Sequence, residues 1–165
     1  MAGQDFVREV YDVSYRRLVA QLLALCGDRE VAEDAVQEAF VKAIGQGARF
    51  SALDNPEAWL RTVALNHLRN RWRRSKLWSA LVPKLRAEPA SRPPLSPDHV
   101  AVVEALRRIP EELREVVALH HIADLPVTEI AQTLGIPEGT VKTRLTRGRA
   151  RLAELLTDHE GTHHG

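Results

Sequence analysis

The 165-residue sequence has few aromatics, one cysteine and no long apolar run, and each shortage closes off a class of protein. With Phe, Trp and Tyr at 5% of residues, the core has to be built from Leu, Val, Ile and Ala. Cys26 alone can form no internal disulfide and supplies no cysteine-based metal site. No stretch approaches the ~18–20 apolar residues of a membrane span, so no membrane insertion is expected. Residues Met1 to Phe6 lack the basic start and apolar stretch of a secretory signal, and a cytoplasmic location is expected. Period-two alternation is missing throughout, which predicts no sheet. What is present, 44% apolar and 27% charged residues, is the balance of a globular chain.

The net charge of +1 conceals two blocks from which acid is absent. Residues 61–76 carry Arg61, Arg69, Arg71, Arg73, Arg74 and Lys76, and residues 142–151 carry Lys142, Arg144, Arg147, Arg149 and Arg151. These blocks hold 11 of the 23 basic residues, leaving the remainder of the chain at −10. Two cationic patches on an otherwise acidic protein point to a polyanion gripped in two places.

Proline divides the chain. Five of the nine prolines fall between Pro83 and Pro97, in a stretch without apolar periodicity that reads as an extended linker. Helical patterns flank it. Phe6 to Cys26 repeats apolar residues at three- and four-residue spacings, with Gly27 as a stop signal. A second helix starts near Asp28, whose carboxylate can cap it, and runs to Gly45; the polar tract from Gln46 to Asn55 reads as a loop. A third helix opens at Pro56 and runs to about Ser75. Its Leu60, Ala64, Leu68 and Trp72 form an inward stripe, while Asn66, Asn70 and Arg74, with Arg69 and Arg73 beside them, face outward. Amides and guanidinium groups along one helix face suit phosphates and base edges.

Beyond the linker, apolar patterns predict a helix from Pro97 or Asp98 through Ile109 and another after Pro110. His120 and His121 are adjacent, a spacing that does not chelate one metal from one helix face, and are read as core-edge or surface residues. From Val127 to Leu145 the sequence reads VTEIAQTLGIPEGTVKTRL. Ile130, Leu134, Ile136 and Val141 would face a shared core, Ala131 is small at the crossing, and Gly135 sits in the turn, which together predict a helix-turn-helix. On its second helix Val141, Leu145 and Leu152 point inward. Lys142, Thr143, Thr146 and Arg147 share the opposite face and suit the major groove. Arg144, Arg149 and Arg151 project sideways, towards phosphates. Gly148 costs this helix about 0.8–1 kcal/mol relative to Ala, for which close backbone approach is the available reason.

Three segments together resemble a bacterial extracytoplasmic-function (ECF) sigma factor of the sigma-70 class. They are Glu33-Asp34-Ala35-Val36-Gln37-Glu38-Ala39-Phe40, the block from Trp59 to Asn66, and Gly139-Thr140-Val141-Lys142-Thr143-Arg144-Leu145. The resemblance covers about residues 5–157. It implies an all-α protein of two small helical domains: a sigma-2-like bundle at 1–76, a flexible Pro-rich linker at 77–97, a sigma-4-like helix-turn-helix domain at 98–158, and a disordered tail at 159–165. It also implies partners, namely core RNA polymerase through its β′ clamp helices and β flap, promoter DNA, and an anti-sigma factor. Residue by residue, Asp34, Gln37 and Glu38 are expected at core polymerase. Ser51, Asn55, Asn66, Arg69, Asn70, Arg73 and Arg74 are expected at the minus-ten element, with Ser51 to Asn55 forming a pocket for a flipped base. Thr140, Lys142, Thr143, Arg144, Thr146 and Arg147 are expected at the minus-thirty-five element.

The sequence departs from the family pattern in places. Asn70 stands where many relatives carry Asp, Pro126 replaces a capping Ser or Thr, and Arg144 takes a position that is often apolar. Ile44 replaces a common Trp and reads as a core substitution. No catalytic constellation, metal site or cofactor is expected, because no Gly-rich phosphate loop or nucleophile–base pair is present. Two other readings compete: a free-standing helix-turn-helix regulator similar to the LuxR type, and a helical hydrolase using His120 or His121.

Overall fold

A computed structural model describes the backbone of residues 2–81 and 97–162 and the side chains of 2–74 and 101–158. Every element there is an α-helix: α1 (Ala2–Cys26), α2 (Arg29–Gln46), α3 (Ala48–Ser51), α4 (Pro56–Leu81), α5 (Pro97–Arg108), α6 (Glu111–His121), α7 (Val127–Leu134) and α8 (Glu138–Thr162). Among the described residues the protein is all-α, and its chain divides into two compact units, an N-terminal one that holds α1–α4 and a C-terminal one that holds α5–α8.

In the N-terminal unit α1, α2 and α4 pack on one another, with α3 against α1 and α2. Asp28 caps α2 as its chemistry predicts, accepting from the backbone N–H groups of Glu30 at 3.0 Å and Val31 at 3.3 Å. The buried face of α2 is largely alanine (Ala32, Ala35, Ala39, Ala43), which lets its neighbours approach closely, while Leu18, Leu22 and Leu25 of α1 and Leu60, Ala64, Leu65 and Leu68 of α4 fill the space between.

Several elements differ from the sequence expectation, each for a physical reason. α1 begins at Ala2 rather than Phe6, its first turn running beside the Gly47 backbone, 3.7 Å from a Cβ placed on Gly3. The expected loop after Gln46 contains α3, because Phe50 is fully buried, edge-on to Phe6 at 5.8 Å and to Trp59 at 5.5 Å. α4 continues past Ser75 into the segment read as linker and is described as far as Leu81. The remainder of that linker, 82–96, lies outside the described residues. α8 extends to Thr162 through most of the expected tail, since no proline interrupts it, and 163–165 lie outside the described residues. Ile44 is not a core replacement: it is 52% exposed and, with Tyr11, Phe40 and Val41, lines an open groove between α1 and α2.

In the C-terminal unit α8 packs on α5, α6 and α7. Arg114 of α6 closes the end of α5, its guanidinium donating to the carbonyl groups of Leu106 at 2.8 Å and of Arg107 and Ile109 at 3.2 Å. The last carbonyls of a helix lack donors one turn further on, and here the Leu106 carbonyl receives only the Ile109 N–H at 3.4 Å besides Arg114, so one side chain helps set the α5–α6 corner. Gly135 adopts the left-handed conformation (φ 67°, ψ 36°) between α7 and α8, the backbone that the helix-turn-helix needs there. Pro126 occupies the N-cap of α7 with no side-chain hydrogen bond. Ile130, Ala131, Leu134, Val141 and Leu145 are buried where the motif predicts, and Gly148 is buried where α8 meets α6.

Candidate nucleic-acid interface

The outward row of α4 follows from its periodicity: with Leu60, Ala64 and Leu68 fully buried and Trp72 half-buried at the end of the stripe, Asn66, Asn70, Arg73 and Arg74 are exposed and Arg69 is half-buried beside them. Arg61 behaves differently. It is 6% exposed, donates through Nε to Gln21 Oε1 at 3.0 Å and lies 3.8 Å from Glu57. A buried guanidinium must be paired to offset its desolvation, so this residue of the cationic block ties α4 to α1 rather than facing outward. Arg17 and Glu57 make a two-pronged pair at 2.7 and 2.6 Å across the same helices, which holds the Arg17 guanidinium above its ordinary pKa.

Asn55 is the N-cap of α4, its Oδ1 accepting from the Ala58 N–H at 3.1 Å, and Ser51 is the exposed last residue of α3. Asn66 stands eleven residues further along α4, roughly 16 Å at ~1.5 Å per residue. The row is therefore long: the Ser51–Asn55 corner lies at one end and Arg73 and Arg74 lie beyond Asn66.

The acidic motif on α2 is tied to its neighbours. Asp34 Oδ2 lies 3.3 Å from His67 Nε2 and 3.5 Å from an Arg71 guanidinium nitrogen, both on α4. Gln37 Nε2 donates to the Tyr15 hydroxyl at 3.4 Å, and Glu38 is half-buried. Sequence reasoning missed His67, Arg71 and Tyr15 as partners of this motif. One signal could have found two of them: His67 and Arg71 are four apart and so share a helix face.

On α8, Lys142, Thr143, Thr146 and Arg147 are exposed together opposite the buried Val141 and Leu145, and Thr140 is half-buried at the helix start. Thr143 Oγ1 donates to the Gly139 carbonyl at 3.0 Å and Thr146 Oγ1 to the Lys142 carbonyl at 3.1 Å. Arg144 turns from this face towards Glu112 of α6, 3.9 Å away. On the other flank Arg149 Nε donates to His121 Nε2 at 2.9 Å, and His120 Nδ1 donates to the Leu125 carbonyl at 2.9 Å. The two histidines thus lie at the edge of α6 and on its surface, His120 half-buried and His121 exposed, and neither sits in a nucleophile–base pair. Burial, then Arg149, then His120 hold the His121 imidazole below the usual histidine range.

A helical bundle and a helix-turn-helix, each with an exposed cationic helix face, define a two-part nucleic-acid-binding factor. Residues 10–77 match the family described as Sigma-70 region 2, and residues 99–152 match Sigma-70, region 4. The ECF RNA polymerase sigma factor SigM of Mycobacterium tuberculosis is 34% identical over 153 residues, covering 90% of this chain and 78% of that protein. SigW of Bacillus subtilis is 28% identical over 170 residues, covering 94% and 91%. The structure of the sigma factor RpoE of Bartonella quintana, in complex with the anti-sigma factor NepR, is similar with a TM-score of 0.79 at 27% identity, over 93% of this chain and 98% of that one. The chain belongs to the ECF sigma factors of the sigma-70 family. The regulator and hydrolase readings are not favoured: the N-terminal half is itself a sigma-70 region, and sigma factors are initiation factors rather than enzymes. No helix among the described residues is long and apolar enough to cross a membrane.

Proposed function

We propose that the protein docks on core RNA polymerase through Asp34, Gln37 and Glu38 and directs it to promoters with two elements. In this reading residues 1–76 hold the minus-ten strand, with Asn66 and Asn70 pairing to unstacked base edges and Arg69, Arg73 and Arg74 on phosphates. Ser51 and Asn55 flank the flipped base, Asn55 through its Nδ2 because its Oδ1 is engaged as the helix cap. Residues 98–158 place α8 in the major groove at the minus-thirty-five element. There Lys142, Thr143, Thr146 and Arg147 face bases, and Thr140 and Arg144 lie at the edges of the contact. The segment between the two units acts as a tether, the cytoplasm is the site of action, and an anti-sigma protein is the expected regulator.

The exposed Asn66–Asn70–Arg73–Arg74 row, opposite the buried Leu60, Ala64 and Leu68, is the observation that carries this reading. Run-off transcription with purified protein, core polymerase and a promoter carrying both elements tests it. Transcripts that depend on this protein support it. Duplex binding without any association with core polymerase would refute it.

A further inference from the structure

The flank of α8 that faces away from Glu112 carries a pair of side chains to which the sigma-factor reading gives no joint role. Arg149 Nε donates to His121 Nε2 at 2.9 Å, and the guanidinium belongs to an exposed side chain. The His121 ring packs edge-on against His120, with centroids 4.9 Å apart, and His120 is itself fixed by the Leu125 carbonyl. His121 and Arg149 are both exposed. Lys142 stands seven residues before Arg149, two helical turns along nearly the same edge.

We propose that His121 and Arg149 form a paired site for a DNA backbone phosphate, and that binding of a duplex there takes up a proton at His121. This deepens, and rests on, the reading of α8 as a duplex-contacting helix. In the free protein His121 Nε2 accepts from Arg149, so the ring is neutral and the pair carries one positive charge. A phosphate oxygen brought to the guanidinium places a negative charge beside the ring. The ring then takes a proton from solvent at Nε2, which changes from acceptor to donor and turns from Arg149 to the phosphate. One anion then bridges two cations in a charge-assisted arrangement.

The charged groups around the ring are His120 on α6, Asp124 in the turn towards α7 and Arg149 on α8. Arg149 and His120 disfavour the imidazolium and Asp124 favours it, so the free protein resists the proton that the phosphate supports. A group whose pKa rises on binding strengthens that binding as pH falls. Affinity for a duplex therefore increases on acidification through the His121 transition.

The test uses the full chain and a fluorescent duplex of arbitrary sequence, so promoter recognition plays no part. Anisotropy titrations at pH 8 and pH 5.5, across a salt series, compare wild type with His121→Gln, Arg149→Gln and Lys142→Ala. Glutamine can accept from Arg149 but cannot take the proton. At pH 8, His121→Gln and wild type should bind alike. At pH 5.5 wild type should bind about threefold more tightly than His121→Gln at moderate salt, the advantage shrinking as salt screens the shared phosphate. Arg149→Gln should weaken binding at both values. Wild type and His121→Gln share the other six histidines, so the comparison reads the change at position 121. Identical pH and salt dependence for these two overturns the proposal, as does weaker binding by wild type at pH 5.5. If Lys142→Ala leaves duplex binding unchanged, the reading of α8 fails and takes this proposal with it. Loss in Lys142→Ala with no effect of His121→Gln overturns the phosphate pair alone.

Discussion

Gly148 lies against Val117: a Cβ on the glycine would stand 2.5 Å from Val117 Cγ2 and 3.4 Å from the Leu113 carbonyl oxygen. The helix-propensity cost of a mid-helix glycine is accepted because any side chain would force α6 and α8 apart. Overpacking costs about 1–3 kcal/mol, whereas alanine recovers only ~1 kcal/mol of propensity, so the clash wins. Gly148→Ala should destabilise the C-terminal unit by about 1–2 kcal/mol in urea unfolding. Val117→Ala in the same chain should relieve part of that loss, giving a non-zero coupling in a double-mutant cycle. A stabilised Gly148→Ala would show that the helices separate freely.

Asp34 answers to two demands. Its contacts with His67 and Arg71 are solvent-exposed, and pairs of that kind contribute about 0–1 kcal/mol. Asp34→Ala should therefore unfold within ~1 kcal/mol of wild type. Its affinity for core polymerase should nevertheless fall at least tenfold in a pull-down titration. Large loss of stability with unchanged polymerase binding would make this carboxylate a packing residue.

Asn66→Ala removes an exposed amide and should leave the thermal midpoint unchanged. Open-complex formation, followed by permanganate reactivity of unpaired thymines, should drop by roughly tenfold or more, as expected for losing an interaction of ~1–3 kcal/mol. Core-enzyme binding should be retained. Equal loss of both would remove Asn66 from the strand-holding role.

Stability of the C-terminal unit should depend on pH through His121, whose folded pKa lies below its unfolded value. The unfolded chain then binds the proton more readily. The contribution is fully present above the ordinary histidine range and is lost as pH falls through it towards the folded value. Denaturant midpoints measured from pH 8 down to pH 5 should fall less steeply for His121→Gln than for wild type. Parallel curves would assign the dependence to other groups.

Where one residue's chemistry decides its own surroundings, the sequence was a sufficient guide. Asp28 as a cap, Gly135 as a left-handed turn residue and the Leu60–Ala64–Leu68 stripe needed nothing beyond their neighbours in the chain. The misses need distant partners. Phe50 stands nearly alone in a polar tract, and only the rings of Phe6 and Trp59, far away in sequence, draw it inward to form α3. Arg61 reads as one of six surface cations until Gln21 and Glu57 are seen around it. Ile44 reads as core by hydrophobicity alone, yet the α1–α2 crossing leaves it on a groove. The exposed rows on α4 and α8 were legible because periodicity alone assigns them; the pairing of Asp34 with His67 and of Arg149 with His121 was not, because each joins two helices.

Thr143 and Thr146 spend their hydroxyl hydrogens on carbonyls of their own helix. Each can then only receive a hydrogen bond from DNA, which adenine and cytosine offer through amino groups and guanine does not in the major groove, while thymine adds to its O4 acceptor a methyl group that can pack on the threonine methyl. A guanine opposite either hydroxyl would meet oxygen with oxygen. The promoters this factor selects should accordingly be poor in that base, on the strand facing these two threonines, at two positions about one helical turn of protein apart.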